Sequence, residues 1–109
     1  MSNPDQKTVG MKFDQGKARP GLLPPSALLA VARVLEFGSR KYADNNWKHV
    51  AGAKTRYMDA AMRHLLQYLS GELEDKETGE SHLAHAMCCL LFLLDAEETG
   101  WEFPPKESK

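Results

Sequence analysis

The sequence predicts an all-α protein: a small bundle of three main helices with an extended N-terminal arm, completed by oligomerisation. Three observations predict this. Two segments carry apolar or small residues at three- and four-residue steps, the period of an amphipathic helix. A third segment, LAHAMCCLLFLL, is apolar nearly all round, as a helix buried on more than one side would be. No stretch of useful length alternates apolar and polar residues as a strand does. The 109 residues fit one domain. Three helices in so short a chain leave apolar surface over, which favours a homodimer or homotetramer.

Residues 1–24 read as extended or irregular, with a turn at Asp14-Gln15-Gly16 and breaks at Pro20-Gly21 and Pro24-Pro25. Met11, Phe13, Leu22 and Leu23 suggest that the second half of this arm packs on the body. The first helix is expected from 25 or 26 to 42, with Ser26 as N-cap and Leu28, Val31, Ala32, Leu35 and Ser39 on one face. Asp44-Asn45-Asn46 favours a turn after it. The second is expected over 56–70 with Thr55 as N-cap. Its stripe is Met58, Ala61, Met62, Leu65, Leu66 and Leu69, and Gly71 takes the left-handed position beyond its end. The third is expected over 82–99, capped by Ser81, ended by Gly100 and central in the bundle. Residues 1–10 and 104–109 are expected to be flexible tails.

Composition narrows the function classes. Hydrophobic residues are 42% and charged residues 27%, which excludes fibrous, collagen-like and wholly disordered chains. A net charge of −1 argues against a dedicated nucleic-acid binder. The halves differ: residues 1–54 sum to +5 and residues 55–109 to −6. A basic half beside an acidic one suits phosphate contacts and metal ligands, or attraction between helices or subunits. The two cysteines are adjacent, so no framework of spaced disulfides exists. The first ten residues lack the apolar region of a signal peptide. The longest apolar run, 83–94, is shorter than the ~20 residues of a membrane span. A cytoplasmic protein is expected, in the host cytoplasm if phage-encoded.

The most informative stretch runs from Arg63-His64 through Glu72-x-x-Asp75-x-Glu77 to His82-x-x-His85. Carboxylates three residues apart share a side if the backbone there is helical, and can then hold a hard divalent cation such as Mg²⁺. The plain alternative is a solvated acidic loop. His82 and His85 lie one turn apart at a helix N-terminus, where the dipole favours neutral imidazole. They are ligands or proton acceptors in one reading and hydrogen-bonded core histidines in the other. A zinc site of His82, His85 and Cys89 is a weaker rival, because the paired cysteines of structural zinc sites are missing.

A second constellation is Arg40-Lys41-Tyr42 with Asn45-Asn46-Trp47-Lys48. Aromatic rings stack on bases, amides read base edges, and cations pair with phosphate. The plain alternative has Trp47 and Tyr42 plugging the bundle end. Lys17 and Arg19 make the arm a second phosphate-contacting candidate.

These residues, read in order, carry a family resemblance. Phe13-Asp14-x-Gly16-Lys17-x-Arg19, Leu23-Pro24-Pro25-x-Ala27-Leu28, Gly38-x-x-Lys41-Tyr42, Asn46-Trp47, Arg63-His64-Leu65, Gly71-Glu72-x-x-Asp75-x-Glu77-x-Gly79 and His82-Leu83-x-His85-Ala86 resemble the phage-associated family named after the N-terminal domain of dATP/dGTP diphosphohydrolase. The resemblance covers about residues 11–96. It implies conversion of dATP or dGTP to the monophosphate and pyrophosphate with a divalent metal. It also implies likeness to the all-α MazG-type pyrophosphohydrolases, oligomeric bundles that hold Mg²⁺ with EExxE and ExxD motifs. This sequence has Arg63, His64 and Gln67 where acidic residues of the first motif are expected, and only Glu72-x-x-Asp75 spells the second.

The resulting expectation is a Mg²⁺- or Mn²⁺-dependent nucleotide pyrophosphohydrolase. Glu72, Asp75 and Glu77 hold the metal, and His82, His85 and Glu72 are catalytic. Lys17, Arg19, Lys41, Tyr42, Asn46, Trp47, Arg63 and His64 bind a nucleotide, a purine dNTP being favoured. The alternative is a non-catalytic phage nucleotide-binding protein that sequesters a nucleotide signal or regulates a host enzyme.

Overall fold

The computed structural model describes residues 9–106. Of the tails expected at 1–10 and 104–109, residues 1–8 and 107–109 lie outside the described residues. Three α-helices make the body: α1 (Pro25–Lys41), α2 (Ala53–Leu69) and α3 (His82–Thr99). Short 3₁₀ turns occupy Pro20–Leu22 and Asn46–His49. No helix among the described residues is long and apolar enough to cross a membrane. As expected, α3 is central: α1 and α2 both pack on it.

The first helix begins at 25 as expected, while two expected caps are corrected. Pro24 stands at the N-cap of α1 and Pro25 at its first position, so Ser26 lies inside the helix and caps nothing. Proline suits that place because its missing N–H would be unpartnered there anyway. The second helix begins before Thr55, because Gly52 turns the chain at φ 65° and its carbonyl accepts the Arg56 N–H at 3.2 Å. The Gly52 N–H in turn donates to Pro104 O at 3.2 Å, so the chain beyond α3 returns to the start of α2. Ser81 caps α3 as expected, its hydroxyl accepting the Leu83 N–H at 3.0 Å. Gly71, at φ 104°, follows α2 where an L side chain would be strained.

The helix faces differ more from expectation. The core is built from small residues in two clusters. Val31, Ala84 and Cys88 join α1 to α3, and Ala61, Ala86 and Cys89 join α2 to α3. Small side chains let the helices approach closely, with Val34, Phe92, Tyr57 and Ala60 filling the flanks. The large apolar stripe of α2 points elsewhere: Met58, Met62, Leu65, Leu66 and Leu69 are exposed, with Leu66 at 62%. Leu28 and Leu35 of α1 are exposed too, as are Leu83, Met87, Leu90, Leu91 and Leu94 of α3. Apolar periodicity marks both faces of such a helix, and side-chain size decides which one packs within the chain.

The arm also departs from expectation. Met11 and Phe13 are 81% and 80% exposed, and Leu22 and Leu23 are exposed as well. The second half of the arm therefore does not pack on the body. Two ion pairs join the basic and acidic halves within the chain: Arg33 of α1 pairs with Glu80 at 2.9 Å, and Lys41 with Glu77 at 3.4 Å.

Candidate functional site

The loop 72–81 is a tight hairpin between α2 and α3. Glu74 and Ser81 form an isolated antiparallel bridge. The His82 N–H donates to Leu73 O at 2.9 Å, and the Asp75 N–H to Glu80 O at 2.8 Å. Asp75 organises the turn, its Oδ1 accepting the backbone N–H groups of Glu77 at 2.9 Å and Thr78 at 3.0 Å. Aspartate favours turns for this reason. The hairpin, and not a helical repeat, therefore places Glu72 and Asp75, and the helical condition for their sharing a side is not met.

Three histidines meet against this hairpin. His64 comes from α2, and His82 and His85 from successive turns of α3. Nδ1 of His64 lies 2.8 Å from Nδ1 of His82. The His64 and His85 rings stack at 4.5 Å. Nε2 of His85 is 2.7 Å from Oγ1 of Thr78 and 3.9 Å from Oδ1 of Asp75. His82 is only 1% exposed, and its Nε2 has no hydrogen-bond partner among the described residues; Oε2 of Glu72 lies 3.7 Å away. Burial, then the neighbouring His85 and His82, lowers the pKa of His64. Burial also lowers that of His85, more than Asp75 raises it. Both rings are thus neutral near pH 7. Burial would raise the Asp75 pKa, but the N–H groups of Thr78 and Glu77, with His85, bring it below its ordinary value.

Among the described residues, one group of three metal-ligating side chains converges: donor atoms of His64, Asp75 and His82 lie within 4.8 Å of one another. Glu72, Asp75 and Glu77 form no such group. Glu77 faces Lys41, and Glu72 faces His82. Mg²⁺ takes oxygen ligands, so a Mg²⁺ ion held by those three carboxylates does not fit this arrangement.

The cluster opens onto a cleft. Above α3, helices α1 and α2 enclose a volume of about 1010 Å³, and His64 and His85 line it. Arg40, Arg56 and Arg63 bring cations to its walls, and Glu36, Asp44 and Asp59 bring carboxylates. Of the residues expected to bind nucleotide, Tyr42, Asn46, Trp47, Arg63 and His64 line this cleft. Lys41, Lys17 and Arg19 do not. Lys41 pairs with Glu77, and the other two stay on the exposed arm. Trp47 also closes the bundle end. One ring face stacks on Phe92 at 4.6 Å, and Phe103 meets it edge-on at 6.1 Å. Cys89 sits in the α2–α3 core, where burial raises its thiol pKa, and takes no part in the histidine cluster.

Sequence reasoning missed Thr78, Arg56 and Asp59. Thr78 had a readable signal, because Asp75-x-x-Thr78-Gly79 suits a side-chain-capped turn. Asp59 and Arg63 are one helical turn apart and so share a face, but Arg56 was visible only as a helix start.

Fold and site together define a small all-α domain built around a charged cleft with a histidine–carboxylate cluster at its floor. The chain belongs to the family described as dATP/dGTP diphosphohydrolase, N-terminal, whose model matches residues 7–105. This bears out the resemblance carried by its motifs. It is similar to the dATP/dGTP diphosphohydrolase of Salmonella phage PMBT28, with 45% identity over 86 residues. That match covers 78% of this chain and 29% of the relative, so the chain spans less than a third of the length of that protein. No solved structure matches.

Proposed function

We propose that the chain is a nucleotide diphosphohydrolase acting on purine deoxynucleoside triphosphates of the dATP/dGTP type. The observation that carries this reading is the joining, in one cleft, of three arginines to the neutral histidines His64 and His85. The family and the activity in the relative's name support it. Arg40, Arg56 and Arg63 would bind the phosphates, since a guanidinium matches phosphate oxygens in pairs. The exposed Tyr42 and Asn46 stand at the mouth for the base. His85, in the tautomer whose Nε2–H donates to the Thr78 hydroxyl, would take on Nδ1 the proton of a water attacking the α-phosphorus. The bond to the α,β-bridging oxygen breaks, and pyrophosphate leaves with its electron pair. His82 and Glu72 lie behind the cleft wall and support His64. A divalent cation, when bound, would neutralise phosphate charge and acidify the water. Mg²⁺ and Mn²⁺, the expected choices, both suit carboxylate, phosphate and water oxygens.

One observation favours a second reading. The relative is much longer than this chain, and its turnover can reside in the part this chain does not match. The chain would then bind a nucleotide in the same cleft without cleaving it. We further place a second copy of the chain on the exposed Met/Leu face of α2 and α3, giving the homodimer or homotetramer expected of so small a bundle, in the cytoplasm of the host.

Product analysis tests the proposal. The purified protein is incubated with each of the eight common NTPs and dNTPs and Mg²⁺ or Mn²⁺, and products are separated by ion exchange. Monophosphate and pyrophosphate in excess over protein support the enzyme. An unchanged pool together with saturable binding supports the binder.

A further inference from the structure

We propose that His64, His82 and Asp75 form a site for a borderline divalent transition ion of the Co²⁺, Ni²⁺ and Zn²⁺ class, with Glu72 as its outer support. The proposal stands apart from the diphosphohydrolase reading, because such a site binds its ion whether or not the chain turns over nucleotide.

Four observations lead to it. First, the donors come from three separate elements, α2, the hairpin and α3, and still converge within 4.8 Å. Second, the two Nδ1 atoms face each other at 2.8 Å. In that contact one Nδ1 donates its proton and the other accepts; an ion takes the lone pairs of both, and the proton moves to the other ring nitrogen or to solvent. Third, Asp75 is held before any ion arrives. Two backbone N–H groups fix its Oδ1, and its second oxygen has no hydrogen bond among the described residues. Fourth, His82 is almost completely buried with Nε2 unpartnered, 3.7 Å from Glu72. An orphaned buried nitrogen is costly. Ligation through Nδ1 fixes the proton on Nε2, where it points at Glu72. A ligating histidine whose other N–H meets a carboxylate is a common outer-shell arrangement at metal sites.

The donor chemistry sets the ion. Two imidazoles and one carboxylate suit transition ions, whereas Mg²⁺ prefers oxygens and keeps its waters. Three protein ligands leave coordination positions open. His64 also lines the cleft, so those open positions lie beside it. His85 is not among the converging donors, and its Nε2 is engaged by Thr78.

Cobalt reads the site without any turnover. The chelator-stripped full chain is titrated with Co²⁺ and its visible absorption followed. A saturable band at one Co²⁺ per chain is expected, displaced by equimolar Zn²⁺ and retained in millimolar Mg²⁺. His64→Gln and Asp75→Asn should each weaken Co²⁺ binding at least about tenfold, and Glu72→Gln by about 10- to 100-fold. Circular dichroism verifies that the variants are folded, and Glu97→Gln, far along α3, should bind as wild type. Imidazole ¹⁵N shifts in the wild type report binding independently of any variant: the Nδ1 resonances of His64 and His82 should move together on adding Zn²⁺. The proposal is overturned if the folded wild type gives no band, if Mg²⁺ displaces the ion as readily as Zn²⁺, or if the shifts show a histidine–histidine hydrogen bond only.

Discussion

Nε2 of His85 lies 2.7 Å from the hydroxyl of Thr78, a residue of the hairpin whose own N–H caps Asp75. The Thr78 hydroxyl also accepts the Glu80 N–H at 3.1 Å. The histidine on the cleft floor is therefore oriented by the turn, and the turn by the aspartate. Thr78→Val removes the hydroxyl at almost constant volume. If His85 is the base, kcat should fall by about tenfold to a hundredfold with KM little changed, since a small misplacement of a reacting group costs that much. Stability should drop by about 1 kcal/mol for the lost hydrogen bonds. Thr78→Ser should restore most of the rate, and the acid limb of the pH–rate profile should move in the valine variant alone. Steady-state kinetics across pH provide the check.

Arg63 lines the cleft one turn beyond Asp59 on α2. A guanidinium hydrogen bond to a charged group is worth about 1.5–3 kcal/mol, so Arg63→Ala should weaken nucleotide binding by about 10- to 100-fold. The loss should shrink at high salt, because salt already screens this partly exposed contact in the wild type. Calorimetric titration with a non-hydrolysable triphosphate at two salt concentrations measures both effects. It applies equally to an enzyme and to a binder.

Helix existence and order were legible in the sequence, because Pro25, Ser81, Gly71 and Gly100 act through local geometry. Gly52 was not read as a start, since its φ of 65° comes with its N–H held by Pro104 at the far end of the chain. Packing faces were not legible for a related reason. In α2 the alanines and the Met/Leu stripe are both periodic, and only the neighbouring helix decides between them. Of the site, the histidine pair and Asp75 were visible as residue types. Their meeting with His64 depends on how α2 crosses α3, and the hairpin's side-chain-capped turn replaced the helical geometry that would have aligned Glu72 with Asp75.

The Met/Leu face gives a prediction about assembly. Met62, Leu66 and Leu69 of α2 are exposed, as are Leu90 and Leu94 of α3, and large exposed apolar surface marks an interaction site. Leu66→Glu should leave the isolated fold nearly unchanged, because an exposed position is usually neutral to within about 0.5 kcal/mol. It should convert a dimer or tetramer to monomer in light scattering coupled to size exclusion. A wild type already monomeric at high concentration removes the second copy from that face.

The inner face responds in the opposite way. Ala61 is 1% exposed and packs on Ala86 and Cys89. Ala61→Leu adds atoms inside the buried α2–α3 contact, so it should destabilise by about 1–3 kcal/mol through overpacking. Chemical denaturation reads this as a lower midpoint at constant slope. An unchanged midpoint would place the α2–α3 contact elsewhere.

The stacked rings of His64 and His85 set a pH dependence of stability in the chelator-treated protein. Both pKa values are lowered, by burial first. His64 is also opposed by His85, His82 and Arg63, while Asp75 pulls on both rings the other way and Glu80 and Glu77 pull on His85. The unfolded chain, with histidines near ~6.5, therefore binds more protons than the folded one just below that value. Stability rises with pH wherever the unfolded state holds more protons. The contribution is thus complete above about pH 7 and is lost as pH falls from about 6.5 through the lower folded values. Asp75 works in a separate, more acidic window, because its lowered pKa is felt only below the ordinary carboxylate range. Thermal melting from pH 8 to 5 should show a falling midpoint in the wild type. The slope should flatten in His64→Gln, which removes one desolvated ring, and in His85→Gln, which removes a desolvated ring and its repulsion of His64. A wild-type midpoint that stays level from pH 7 to 5 would mean that the rings are solvated and not packed against the hairpin.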